Sequence, residues 1–239
     1  MKKVIVSDYD QTFYINDQDI EKNKTAIDKF RNEGNIFIIA TGRSYWDLKK
    51  KVDIYDIEYD YAILNHGTTI IDETGKIISN ISIKNEIIPK IKDEIKLKEA
   101  TNYFCCSELE SRVDFTHKDL TKINVKYKTQ ERAIEINNIL NKNYKEYVNS
   151  YYIMNTSIEI ISNRTDKSRA IEKIIDKLGI DKANVYSIGD GYSDIEMVQN
   201  YNGFCMKGSV KELRKVARKE YASVSDLVVE IINNKLQFV

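Results

Sequence analysis

A chain of 239 residues with 37 basic and 37 acidic side chains has no formal net charge, so nothing in its overall balance marks a surface for nucleic acid or an anionic membrane. Nine glycines and one proline, set against 42% hydrophobic residues rich in isoleucine, exclude a disordered or low-complexity chain, and the length allows one large domain or two small ones. Three cysteines, two of them adjacent at Cys105 and Cys106, and only two histidines argue against a disulfide framework and against structural zinc.

In chain order, the opening segment MKKVIVSDYD offers only three consecutive apolar residues, too few for the apolar region of a signal peptide. Those residues, Val4 to Val6, read as a buried strand. A helix with Ile27 and Phe30 on its apolar face follows and ends at Gly34. Ile36 to Ala40 is a second buried strand, and Ser44 is placed to cap the helix after it, with Trp46 packing in the core or against a neighbouring domain. Ala62 to Leu64, then Thr69 to Ile78 around a turn at Asp72 to Gly75, read as a strand and a hairpin. From about Ser82 to Ser157 the strand–helix alternation lapses. A helix over Glu86 to Lys98 has Pro89 in its first turn, β-like pieces lie at Thr101 to Cys106 and Lys122 to Tyr127, a helix covers Gln130 to Asn141, and Tyr144 to Ile160 follows. Alternation resumes with a helix begun by Thr165 or Asp166, carrying Ile171, Ile174, Ile175 and Leu178, and closed by Gly179. Val185 to Ile188 is then a third buried strand. The pattern predicts an α/β fold: a doubly wound parallel-sheet core from residues 1–81 and 158–239, with a small α+β insert from residues 82–157. Every apolar run is strand-sized, far below the roughly 20 residues a bilayer span needs. A cytoplasmic protein with neither membrane nor nucleic-acid partner is the expectation.

Chemistry gathers at the strand ends. Asp8 and Asp10 follow the first strand and, two apart in extended chain, point the same way toward the crevice where open α/β sheets bind ligands. Taken alone they could be two solvated acids in a loop. The third strand repeats the design, however, running into Gly189-Asp190-Gly191-Tyr192-Ser193-Asp194. Four carboxylates at one edge repel unless protonated or neutralised, and Mg²⁺, which favours few carboxylates plus water and phosphate oxygens, is the natural cation. The second strand ends in Thr41-Gly42-Arg43, a hydroxyl and a glycine that lets the backbone approach at a helix start, which makes a plausible phosphate cradle. Ser44 as a helix cap explains part of the same stretch. Lys167 opens the Ile171 helix; alone it reads as a solvated lysine. His66, in Asn65-His66-Gly67, reads as a turn or packing residue rather than a substrate contact.

Together these four pieces resemble the motifs of the haloacid dehalogenase superfamily of phosphotransferases, and within it the Cof-like phosphatase branch. That branch carries DxDGT, TGR, a lysine opening a helix, and GDxxND, with a cap inserted between the second and third. Here they stand as Asp8-Tyr9-Asp10-Gln11-Thr12, Thr41-Gly42-Arg43, Lys167, and Gly189-Asp190 through Asp194. The resemblance implies Asp8 as nucleophile, Asp10 as general acid and base, and Lys167 as the cation that offsets charge on the nucleophile and the transferring group. It implies Thr41, Gly42 and Arg43 as the phosphate site, and Mg²⁺ on Asp8, the backbone carbonyl of Asp10, Asp190 and Asp194. The function implied is hydrolysis of a small phosphate ester, such as a sugar phosphate or phosphoglycolate, with the cap closing over the site and setting specificity. A phosphomutase of the same superfamily, or a regulator that binds phosphometabolites with weakened turnover, are the alternatives. Two departures bear on this: Gln11 replaces the family's glycine, and Ser193 its asparagine. If the glycine supplies positive φ or room for substrate, Gln11 costs activity or remodels access.

Overall fold

A computed structural model describes residues 2–153 and 156–233. The first part of the chain forms β1 (Val4–Ser7), α1 (Asp17–Asn32), β2 (Ile36–Ala40), α2 (Tyr45–Tyr55), β3 (Tyr61–Leu64), β4 (Thr69–Asp72) and β5 (Ile77–Asn80). The middle forms α3 (Ile88–Glu94), β6 (Ala100–Ser107), β7 (Glu110–Val113), β8 (Leu120–Tyr127), α4 (Gln130–Asn143), β9 (Val148–Ile153) and β10 (Ser157–Ser162). The last part forms α5 (Lys167–Leu178), β11 (Val185–Gly189), α6 (Ile195–Asn200), β12 (Asn202–Met206), α7 (Lys211–Arg214), β13 (Glu220–Tyr221) and α8 (Val224–Ile232).

The larger sheet has the order β13-β12-β11-β1-β2-β3-β4-β5, parallel from β13 to β3 and closed by the antiparallel β4 and β5. This is the doubly wound α/β core the strand–helix alternation predicts. Because successive side chains of a strand point to opposite faces, Ile5, Phe37 and Ile39 pack with Ile20, Ile27 and Phe30 of α1 and Leu227 of α8. Val4, Val6, Ile36 and Ile38 pack with Ala170, Ile171, Ile174 and Ile175 of α5 and Met197 of α6. Both faces are covered, so β1 and β2 are buried at every residue, and full burial of each such aliphatic contributes about 1.5–3 kcal/mol. The sheet grows outward from β1 in both directions, which makes the carboxyl end of β1 a switch point, the usual ligand crevice of open α/β sheets.

The second sheet is antiparallel, ordered β7-β6-β8-β10-β9, with α3 and α4 on one face over Ile123, Val125, Tyr127, Ile158 and Ile160. Its opposite face turns to the end of the core sheet that carries the strand-end motifs. Here the chain differs from the sequence expectation in two places. The return to the core falls after Ser162 rather than at residue 158, because β10 pairs with β8 and β9 throughout. The helix expected over Glu86 to Lys98 is cut short: α3 stops at Glu94, and Lys96 turns left-handed at φ 49°. Trp46, expected to pack, is 50% exposed and touches the ring of Tyr45. No helix among the described residues is long and apolar enough to cross a membrane.

Candidate active site

Three adjacent strands, β11, β1 and β2, deliver Asp190, Asp8 and Thr41 to the same edge; Asp8 and Asp190 line a cavity of about 650 Å³ between the two sheets, and Gly42 and Arg43, next to the buried Thr41, line it too. Asp8 is anchored by its backbone: its N–H donates to Ile188 of β11 at 2.9 Å and its carbonyl accepts from Phe13 at 3.2 Å. The fully buried Lys167, on the first turn of α5, donates from Nζ to Oδ1 of Asp8 and Oδ1 of Asp194, both at 2.6 Å. The other oxygen of Asp194 accepts the backbone N–H groups of Asp190 at 3.0 Å and Gly191 at 2.9 Å, so this side chain folds the loop that presents Asp190. The packing is tight enough that a Cβ on Gly189 would lie 2.4 Å from Cγ of Asp194, which requires glycine there. Thr12 completes the group by donating to Oδ1 of Asp190 at 2.7 Å.

Carboxylate oxygens of Asp8, Asp190 and Asp194 all lie within 4.8 Å of one another. Three acids face one ammonium, and the titration of Asp8 and Asp190 reflects the excess. Burial pushes the Asp8 carboxyl well above its usual range, against the pull of Lys167 and with a further push from Asp194 and Asp190. Burial and the Asp194 charge push Asp190 up to about 6. Burial works against the Lys167 ammonium, yet Asp194 and Asp8 together hold it above its ordinary value. The donor set is oxygen only, crowded and short of positive charge, and it fits a hard divalent cation. With Asp194 already holding Lys167 and two backbone N–H groups, Asp8 and Asp190 are the side chains that could hold the metal directly.

The structure does not place all four predicted acids in one cluster. The carboxylate of Asp10 instead makes a parallel pair of hydrogen bonds with Arg43, from Nε at 2.7 Å and Nη2 at 2.6 Å. Arg43 thus orients Asp10, and its guanidinium lies 5.5 Å from the centre of the Tyr9 ring. Thr41 is buried at the end of β2, and its Oγ1 accepts the Arg43 N–H at 3.1 Å, which leaves the hydroxyl proton to be donated elsewhere. Ser44 stands at the start of α2, but its hydroxyl goes to Asp47 at 2.7 Å and not to the helix N–H groups. Gln11 lies on the cavity wall at φ 61°, the left-handed conformation that glycine would adopt without cost. Ser193 is buried beside Asp194.

From the sequence, the insert's aromatics at Phe104 and Tyr152 could line a pocket but read by default as packing, and its charged residues give no such reading. Phe104, Arg112, Lys122, Tyr152 and Glu159 all line the cavity, with His66 opposite. The Arg112 guanidinium lies 5.1 Å from the centre of the Phe104 ring. Glu159 stands between Ile158 and Ile160, and Lys122 just before Ile123; a charge breaking an apolar strand run was the available signal. His66, read as a turn or packing residue, is buried in a left-handed turn with its Nε2 against Oε2 of Glu159.

The haloacid dehalogenase-like hydrolase family model matches residues 5–114 and 106–230, and the chain belongs to that family. A Buchnera aphidicola protein provisionally named a phosphatase is 23% identical, over 94% of this chain and 96% of its own. The 5-amino-6-(5-phospho-D-ribitylamino)uracil phosphatase YcsE of Bacillus subtilis is 24% identical, over 89% of this chain and 86% of its own. In fold, a provisional HAD/COF-like hydrolase from Plasmodium vivax superposes with a TM-score of 0.85 at 15% identity, covering 98% of this chain and 96% of that one. The protein is therefore a hydrolase of this family, and the expected Cof-like phosphatase type agrees with each of these matches.

Proposed function

We propose that this hydrolase releases phosphate from small soluble phosphomonoesters, with Mg²⁺ as cofactor and Asp8 as the attacking group. The observation that carries the reading is the Asp8–Lys167–Asp194–Asp190 arrangement at the switch point of the sheet. Lys167 holds Oδ1 of Asp8, fixing the carboxylate for in-line attack and offsetting the charge that builds on the transferring group. The bond from Asp8 to phosphorus forms as the ester P–O bond breaks, and the proton for the departing alkoxide comes from Asp10 in its protonated form, with one oxygen released from the Arg43 pair to carry the proton and the other still held by the guanidinium. Water then attacks the aspartyl-phosphate with Asp10 taking its proton, so phosphate leaves and Asp8 is regenerated. Thr41 donates its hydroxyl proton to a phosphoryl oxygen. A divalent ion on Asp8 and Asp190 would neutralise charge on the transferring phosphoryl group.

The cavity suits a leaving group of sugar or polyol size, flanked by Phe104, Tyr152 and Arg112 of the cap. The test is phosphate release from an aryl phosphate, sugar phosphates, phosphoglycolate and a phosphoribityl-aminouracil, the last being the kind of substrate in the name of the Bacillus relative. Turnover should require Mg²⁺ and vanish in Asp8→Asn. Activity that survives either excess chelator or that substitution defeats the reading, and consumption of ester without free phosphate would favour a phosphotransferase.

A further inference from the structure

The loop Thr41-Gly42-Arg43 has all three of its carbonyls taken by donors from outside it. Thr41 accepts from the N–H of His66 and Arg43 from the N–H of Asn65, each at 3.0 Å. Both donors sit in a left-handed turn, with φ 47° at Asn65 and 58° at His66. The middle carbonyl, that of Gly42, accepts from Nζ of Lys122, which comes from β8 of the cap. The N–H of the same Gly42–Arg43 peptide donates to Oγ1 of Thr41. This one peptide plane is therefore held at its oxygen by the cap and at its hydrogen by Thr41.

Lys122 is itself set in place. It is 3% exposed and 2.9 Å from Oε1 of Glu159, which also accepts from Nδ2 of Asn124 at 3.0 Å, while Oε2 of Glu159 meets Nε2 of His66. Register puts Phe104, Asn124, Glu159 and Tyr151 directly opposite one another across β6, β8, β10 and β9, a single row on the cap face that meets the core. Tyr151 lies 5.2 Å from the His66 ring, and a Cβ on Gly42 would come within 2.5 Å of that ring. Cap and loop thus meet without slack. A buried ammonium satisfied by Glu159 alone would serve cap stability, and its reach to Gly42 is what that role leaves unexplained.

We propose that Lys122 is a positioning residue for the phosphate site: by holding the Gly42–Arg43 peptide it sets the Thr41 hydroxyl, so the site is complete only with the cap seated. The inference rests on the phosphatase reading above. A seated cap orients Gly42–Arg43, the peptide N–H fixes Thr41 Oγ1 as an acceptor, and the hydroxyl proton is left for the phosphoryl oxygen.

The experiment compares the full chain with Lys122→Met and with the double variant Lys122→Met/Glu159→Gln, which removes both charges together and strands neither. Binding of inorganic phosphate with Mg²⁺ is measured by calorimetry, and kcat and KM are measured for an aryl phosphate. Both variants should bind phosphate about tenfold or more weakly, as loss of a charge-assisted hydrogen bond implies. KM should rise by a similar factor, and the double variant should keep a cooperative melt. A double variant that melts cooperatively and binds phosphate as wild type does overturns the proposal. Wild type that neither binds phosphate nor releases it from the aryl ester defeats the phosphatase reading instead, so the two failures are distinct.

Discussion

Asp190 supplies the sharpest test of the crowded-acid argument, because its perturbation has a sign and a size. Its carboxyl titrates near 6 in the metal-free fold, against 3.8 for an ordinary aspartate. The folded state therefore holds this proton more tightly than the unfolded state, so its contribution favours folding at low pH and is lost as pH rises through about 6. At about 1.4 kcal/mol per pH unit, the interval amounts to about 3 kcal/mol of stability missing at pH 7.5. Glu159 acts the other way. Burial raises its carboxyl, but Lys122 and His66 outweigh that and hold it well below the usual carboxylate range, so its contribution disappears only in strong acid. A cation on Asp8 and Asp190 should remove the penalty that the pair suffers at neutral pH. Thermal melts with excess chelator and with saturating Mg²⁺, at pH 5.0 and 7.5, isolate the effect as a difference of differences. Only the loss that falls above pH 5.0, about one pH unit or about 1.4 kcal/mol, enters that difference, so at roughly 2–4 °C per kcal/mol for a chain of this size Mg²⁺ should raise Tm by some 3–6 °C more at pH 7.5 than at pH 5.0. Asp190→Asn without metal should melt above wild type at pH 7.5 and lose the Mg²⁺ response. An equal Mg²⁺ increment at both pH values, or an Asp190→Asn variant that melts below wild type at pH 7.5, would refute the reasoning.

Three further outcomes follow from the same geometry. Lys167→Met leaves Asp8, Asp190 and Asp194 with no cation and should cost about 3–5 kcal/mol in denaturant melts; Mg²⁺ should recover part of that loss but not activity. Asp10→Asn should lower kcat/KM, which reports the step that breaks the ester, far more for an alkyl phosphate, by about 10²-fold or more, than for an aryl phosphate, whose leaving group needs little protonation; equal kcat/KM losses on the two substrates would remove Asp10 from protonation of the leaving group. Gln11→Gly relieves a left-handed backbone and clears part of the cavity wall. Chemical denaturation should show a gain of up to about 1 kcal/mol, with kcat/KM equal to or above wild type, and a destabilised Gln11→Gly would show that the glutamine side chain contributes contacts worth more than the strain.

The core was legible because its signals are local. A strand buried on both faces must be a continuous apolar run, and Val4 to Val6, Ile36 to Ala40 and Val185 to Ile188 are such runs, each leading straight into the acids or hydroxyl at its carboxyl end. Asp8 and Asp190 could be paired on paper because β1 and β11 are both parallel strands, and parallel strands deliver their ends to the same edge. The missing glycine at Gln11 could be read as a positive-φ problem for the same reason: turn geometry depends on a few neighbouring residues. What stayed hidden depends on partners far away in sequence. Nothing in Asp10 or Arg43 alone announces their pairing across 33 residues. The tie between His66 and Glu159 spans 93 residues and exists only in one register of an antiparallel sheet, which sequence periodicity does not set. Yet the ingredients left a trace. Glu159 and Lys122 sit in strands whose alternate residues are all buried, so each had to face either solvent or a polar partner. A cap whose outer face is already covered by α3 and α4 leaves only the core side for them, and that is where the Thr41-Gly42-Arg43 loop lies.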